Sequence, residues 1–592
     1  MPSSITSRGK TFFAPQTVVD VRNELVNPGA LGKSLAVFGD FPQLKQNKVH
    51  TFRAGGLGIS DLYPNVGRLR DLEKIYLEPF DLAAPATALS IINVATTAQA
   101  EVDDVSTFGT WKAKKFGIDG NSVQYVLEDP NTANGDGNLS ARGDYYRLRV
   151  KAPGFNGNLE FEVTAGGADM LELIYEDDQA GANNCVVTIA DGNLNVAFDA
   201  VDEDFTLSDY STMDDLAAAI NALDPRLAVE AVNFNFSPEK LDEVVLTLTD
   251  NANAEVIGYL HAHTAALFET VELLESGSDF PLKLELASDR YRLMSGDADV
   301  AGGFDANAIS LSGGSQSAAT DGNYSTCFGL TEILNKDFTS CMVESTSATA
   351  HGYFKTYLDN SAANQKERNG YVPAPVNQTL SQYFSLYSRP LNSPKISVVI
   401  QGAKWKNYRG ALTSGTSPLS TADMAMFLMC MQGSLDIAIP MTGKTPKISD
   451  TVEAYDRDTV EDRNLVAKYS LLGVALDSNS NLSVIRGLTS WRKDNLTQNV
   501  EISSKECVDA SSRDIRAYVT AELGTQVVEG SAQRLKSLVT NRLAFQRDRG
   551  IIRAFANVSV NIVNDVANVD YEIAVIAPLN FIKISAVIGD GQ

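Results

Sequence analysis

The chain has 592 residues, 44% hydrophobic and 21% charged, a globular composition with room for roughly three to five domains of about 100–200 residues. No apolar run approaches the roughly 18–20 residues that span a bilayer, so no direct membrane insertion is expected. MPSSITSRGKTFF lacks the apolar centre of a signal peptide, which points to synthesis and use in a cytoplasm. The net charge is −25, and no basic stripe with interleaved aromatics occurs, so nucleic acid is not expected as a partner.

Residues 1–25 read as extended, because TFFAPQTVVDVRNEL is β-branched, carries Pro15 and lacks helical periodicity. Pro28-Gly29 breaks this segment, and Leu35–Phe41 (LAVFGDF) is a short buried strand. DLEKIYL suggests a helix, and Ser90–Val94 a second buried strand. Composition then changes. Glu101–Asp305 holds 39 acidic against 12 basic residues, a net −27, which leaves the rest of the chain at +2. All the excess negative charge is in one internal block, an acidic solvent-facing module on a near-neutral scaffold.

Within that block, 101–167 alternates strands such as SVQYVL and YYRLRV with Gly/Asn/Asp loops, a β-rich unit. The stretch 168–305 has strands CVVTIA and EVVLTLT and one helix, STMDDLAAAINAL. Ser211 or Thr212 can cap that helix, and Leu216, Ile220 and Leu223 form its stripe. From Ile309 onward strand, loop and helix alternate, with Ile396–Ile400 a candidate parallel strand and Met424–Met431 (MAMFLMCM) a core helix. Ser511–Leu523 reads as one helix and Ser531–Gly550 as another, its stripe being Leu535, Leu538, Val539 and Leu543. Strands IIRAFANVSVNIV, YEIAVIA and FIKISAVI follow. In the last, Ile582, Ile584, Ala586 and Ile588 share one face, with Phe581 and Lys583 on the other. A terminal strand of this kind needs a partner edge.

Motifs for chemistry fail on context. GALGKS (Gly29–Ser34) ends like a phosphate loop, but Asn27 stands where the first glycine belongs and a strand follows where a helix should. MTGKTP (Met441–Pro446) fails likewise. His261 and His263 suggest a surface pair rather than a metal site, since no third ligand is near. The five cysteines form no C-x-x-C pair and are expected to be buried and inert. No G-x-S-x-G elbow supports the scattered Ser, His and Asp residues as a hydrolase. No catalytic residue, metal or cofactor is therefore expected, and no enzyme.

The order of segments from Leu311 resembles one family, the tail sheath proteins of contractile phages and related injection machines. LSGGSQSAATDGNYSTCFGLTEILNKDFTSCMVES is similar to that family's Leu-x-Gly-Gly stretch with its helix and strand. NQKERNGYV (Asn364–Val372) sits where the family passes from helix to strand, and LLGVALDSNSNLSVIRGLTSW (Leu471–Trp491) resembles its Gly-Val, turn, strand region. The passage Arg549–Phe555 and a proline before the final strand resemble the family's C-terminal domain. The likeness covers Leu311–Ile588 well and Ala14–Ala100 loosely.

The resemblance implies an α+β multidomain fold, with sheath-type α/β core domains, β-rich inserted outer domains and extended N- and C-terminal arms. It divides the chain into an arm (1–25), core (26–100), insertions (101–167 and 168–305), core (306–495), a C-terminal inner domain (496–578) and an arm strand (579–592). It implies a structural protomer that polymerises as stacked, hexameric rings around a tail tube, meets baseplate and tail terminator proteins, and contracts to drive the tube through an envelope. Its place would be the virion tail, assembled in a host cytoplasm. Phe12, Phe13, Val18 and Val19 of one arm, with Phe581, Ile582, Ile584, Ala586 and Ile588 of the other, would complete sheets in neighbouring copies. Arg542, Arg547 and Arg549, an expected positive cluster at the end of the Ser531–Gly550 helix, would face the tube. The other reading is a different lattice protein, a capsid, baseplate or surface-layer subunit with an acidic outer module.

Overall fold

The computed structural model describes residues 5–7, 10–12, 32–53, 67–79, 85–104, 109–128, 146–152, 159–163, 169–176, 183–250, 255–262, 265, 269, 271–274, 282–286, 308–404, 420–477, 479–564 and 566–580. Its centre is a six-stranded sheet in the order Ile396–Val399, Asn369–Pro373, Ser340–Val343, Ser34–Gly39, Ala88–Asn93, Val49–Arg53. The first five strands are parallel and the last is antiparallel. Two halves of the chain far apart in sequence thus share one sheet, with Val37 paired to Met342 on one side and Ile91 on the other.

Strict alternation sends the two faces of this sheet into different cores. Leu35, Val37, Leu89 and Ile91 face a core shared with the Gly67–Leu77 and Thr421–Ser434 helices. Ala36, Phe38, Cys341 and Val343 face a second core with the Asp321–Gly329 and Ala348–Ala363 helices. Burial on both sides explains why these strands read as continuous apolar runs. The methionine helix is buried on every side from Thr421 to Gly433 and starts at a Ser420–Asp423 capping box. In NQKERNGYV, Gly370 cannot be replaced freely, since an added Cβ would sit 2.5 Å from Leu358 Cδ1.

The acidic block leaves and re-enters the body side by side. Ser317 N donates to Thr96 O at 3.0 Å, and Ala98 pairs with Ser315. One part is built of two four-stranded sheets, with Trp111 and Tyr125 in contact at 4.7 Å between ring centroids. The other part packs a four-stranded and a three-stranded sheet around one core with the Met213–Asn221 helix, capped by Thr212 as expected.

Two expected boundaries are corrected. Leu282–Leu286 pairs with Gly109–Phe116, so the chain returns to the first inserted unit before 305. Ile309–Ser310 pairs with Gln124–Glu128, so the residues just after 306 belong to the insertion, not to the core. Both are long-range pairings of short strands, which local pattern does not reveal.

Candidate assembly surfaces

Two helices and a ribbon form the C-terminal part. The Ile502–Val519 helix begins nine residues earlier than the expected Ser511, because Ser503, Ser504, Glu506 and Asp509 are polar yet buried and hide the helical stripe. It packs on the Ser531–Asp548 helix through Ala510, Ile515, Val539 and Leu543, joined by Ile551 and Ile552. Leu535 and Leu538 of the expected stripe are only half-buried.

Arg542 is not part of an exposed cluster. Its residue is 9% exposed, and it grips Asp514 with Nε at 2.7 Å from Oδ2 and Nη2 at 2.6 Å from Oδ1. Gln546 Nε2 donates to the same carboxylate at 2.7 Å, and Ser511 Oγ donates to Gln546 Oε1 at 2.6 Å. The guanidinium lies over the Phe545 and Tyr518 rings, 4.4 and 5.1 Å from their centroids. The physical reason is helical phase: Arg542 lies three positions after the buried Val539 and four before the buried Gln546, on their inward face. Arg547 and Arg549 are exposed, Arg547 bonded to Asp548 at 2.9 Å and Arg549 over the Phe545 ring. The loop before this helix carries exposed Leu523, Val527 and Val528, an apolar tip that no periodicity signalled.

Strands Ala554–Val563 and Val566–Ala574 form a two-stranded antiparallel ribbon. Among the described residues no third strand joins it on either outer edge. Phe555, Val558, Val569, Tyr571 and Ile573 lean on the helical core yet stay only partly buried. The register shifts between Ala556 and Ser559, where Asn557 takes φ 53° in a bulge. Such a ribbon is marginal alone, and its edges are templates for further strands.

Of the expected arm residues, Phe12 belongs to a strand, Lys10–Phe12, that pairs with Ile5–Ser7. Phe13, Val18, Val19, Phe581, Ile582, Ile584, Ala586 and Ile588 lie outside the described residues. The approach to the C-terminal segment is anchored. Ser504 Oγ donates to Ile576 O at 2.9 Å, and Asn580 Nδ2 donates to Glu501 Oε1 at 2.8 Å. A polar cleft of about 400 Å³ lies beside this anchor, lined in part by Arg486, Trp491, Glu501, Pro578 and Asn580.

The rejected motifs have structural roles. Lys33 of GALGKS is buried, with Nζ 2.8 Å from Glu506 Oε1. His261 is not on the surface as expected; it is 4% exposed and 2.7 Å from Asp169. All five cysteines are buried and free, and burial pushes Cys185 and Cys341 up to about 12. Among the described residues, no group of His, Cys, Asp or Glu could hold a metal ion, and no helix is long and apolar enough to cross a membrane.

Comparison with solved structures places this architecture. The sheath tail protein of Listeria innocua matches over 92% of this chain and 92% of its own, at 12% identity and a TM-score of 0.51. That of Desulfitobacterium hafniense matches over 93% and 97%, at 11% identity and a TM-score of 0.49. The anti-feeding prophage helical sheath in its contracted state matches 46% of this chain and 75% of its own, at 16% identity and a TM-score of 0.36. No protein-family model matches the sequence, and neither does any curated protein. The structural neighbours are sheath tail proteins and contractile injection system sheaths, and the chain shares the fold of the Listeria protein almost end to end.

Proposed function

We propose that this chain is the non-enzymatic protomer of a contractile sheath. It would polymerise as stacked hexameric rings around a tail tube, between baseplate and tail terminator proteins, in a virion or injection particle. The observation that carries the reading is the fold shared with a sheath tail protein over 92% of both chains. The ribbon Ala554–Ala574, whose two outer edges no described strand occupies, supports it, because neighbouring arms could add strands there.

The energetics favour such a linkage. About four to six added hydrogen bonds at roughly 0.5–1.5 kcal/mol each, with burial of Ile582, Ile584 and Ile588 at roughly 1.5–3 kcal/mol each, far exceed an exposed salt bridge at about 0–1 kcal/mol. The link can persist while the bodies rotate, and contraction needs no nucleotide if the extended lattice is the higher-energy of two packings. The acidic insertion would stand on the outside of the cylinder, and the Ser531–Asp548 helix, with Arg547 and Arg549, would face the tube.

Negative-stain electron microscopy of the purified full chain tests the reading. Long hollow cylinders are expected. Flat sheets or closed shells would assign the chain to another structural lattice, and monomers with hydrolytic turnover would make it an enzyme.

A further inference from the structure

We infer that the first turns of the Ile502–Val519 helix form a mechanical junction that ties the two ends of the chain to each other. On one side stands Lys33, immediately before the central strand Ser34–Gly39. Its Nζ lies 2.8 Å from Glu506 Oε1 and donates to Gln432 O at 2.8 Å, while Gln432 Nε2 donates to Glu506 Oε2 at 2.8 Å. The Lys33 and Glu506 side chains are 10% and 4% exposed, so this closed triad works in a low-dielectric setting where its bonds are stiff and directional.

On the other side the same stretch holds the departing chain. Ser504 Oγ binds Ile576 O, and Glu501 Oε1 takes Asn580 Nδ2 at 2.8 Å and Arg486 Nε at 2.6 Å. Residues at opposite ends of the sequence therefore meet on side chains no more than five positions apart, from Glu501 to Glu506. Tension that enters before Lys33 and leaves after Asn580 crosses one short piece of helix. Of the described helices on the central sheet, only the end of Thr421–Ser434 touches that path, through Gln432.

The polar chemistry is what points beyond stability. A buried ion pair is often replaceable by apolar residues of similar size at no cost in folding free energy, whereas loss of one partner alone is costly. Stability therefore does not demand this triad, but a joint that must resist shear in one direction is served by it. The inference rests on the sheath reading for where the tension comes from; the geometry itself does not need assembly.

Single-molecule pulling on the monomeric full chain, with handles at its two ends, tests the junction. The variant Lys33→Met with Gln432→Leu and Glu506→Met should keep the wild-type urea midpoint and lose the high-force first rupture. Lys33→Met alone should lower both. An unchanged first rupture in the triple variant overturns the junction, as does a wild type whose ends detach in two unrelated events. Should the triple variant not fold, Ser504→Ala with Asn580→Ala cuts the other flank and must lower the same rupture; if it does not, the junction is refuted. Failure of the protein to form cylinders would refute the sheath reading and leave this measurement standing.

Discussion

Arg542 and Asp514 close a bidentate ion pair between the two C-terminal helices, at 2.6 and 2.7 Å, with the guanidinium held over the Phe545 ring. The arginine that the sequence offers as a surface contact is thus the polar centre of the domain. Arg542→Ala leaves a buried carboxylate with only Gln546 as a donor. A loss of about 3–5 kcal/mol is expected, read as a lower urea midpoint. Arg542→Lys should not rescue it, because an ammonium can neither fork onto both oxygens nor stack on the ring. An unchanged midpoint in Arg542→Ala would contradict the pair's role.

Arg547 and Arg549 carry the tube-facing expectation without Arg542. Both are exposed, so Arg547→Glu with Arg549→Glu should fold normally. Extended sheaths templated on tubes should shorten or vanish, and wild-type assembly should weaken with salt as the Debye length falls from about 10 Å at 0.1 M to about 3 Å at 1 M. Self-assembly into the contracted form should continue. Sheaths of normal length on tubes, measured by electron microscopy, would exclude this helix as the contact.

Removal of residues 581–592 leaves the Asn580 anchor in place and should give a folded, soluble body that forms no cylinders. Ile582→Asp with Ile584→Asp should act in the same way, and Lys583→Ala should not. Full-length tubes from the truncated chain would end the exchanged-strand proposal.

Replacement of Thr97–Gln316 by a short Gly/Ser linker should preserve the central body, because Thr96 and Ser317 are already hydrogen-bonded at 3.0 Å. The shortened chain loses the whole negative excess. Circular dichroism and gel filtration should report a folded protein that still assembles; an aggregated product would make the insertion part of the core.

His351 is 1% exposed, and burial pushes it down to about 4 from 6.5, partly offset by the Ser345 carbonyl at 2.7 Å and by Asp321. The folded state therefore holds the imidazole neutral while the unfolded chain binds a proton below 6.5. Stability is complete above about pH 6.5 and falls as pH drops toward 4, by on the order of 3 kcal/mol from this group. His351→Leu should flatten the urea midpoint across that window, though it starts lower for loss of the Ser345 bond. An unaltered slope would show that another group dominates.

Much of the fold was legible where burial is uniform or one-sided. The apolar runs at Leu35–Phe41, Ser90–Val94 and Ile396–Ile400 became strands of the central sheet, and MAMFLMCM became its buried helix. The final ribbon was legible in part: IIRAFANVSVNIV holds the strand Ala554–Val563, but its partner is Val566–Ala574, which starts five residues before the expected YEIAVIA and ends before it does. The start of the Ile502–Val519 helix was not, because side chains such as Glu506 are buried by partners distant in sequence. For the same reason Lys33 resembled a phosphate-loop lysine and Arg542 a surface charge.

Sequence alone determined what depends on local pattern and composition: the uniformly apolar strands and the methionine helix of the core, that one block carries the negative charge, and the order of segments that resembles a sheath protein. Tertiary structure decided what depends on pairing across long distances. It set which strand joins which sheet, so that Leu282–Leu286 returns to Gly109–Phe116, and which charges turn inward, so that Lys33 finds Glu506 and Arg542 finds Asp514. The reason is physical: periodicity records the face a residue presents, but a buried charge is tolerated only where a particular distant partner meets it, and that partner exists only once the chain has folded.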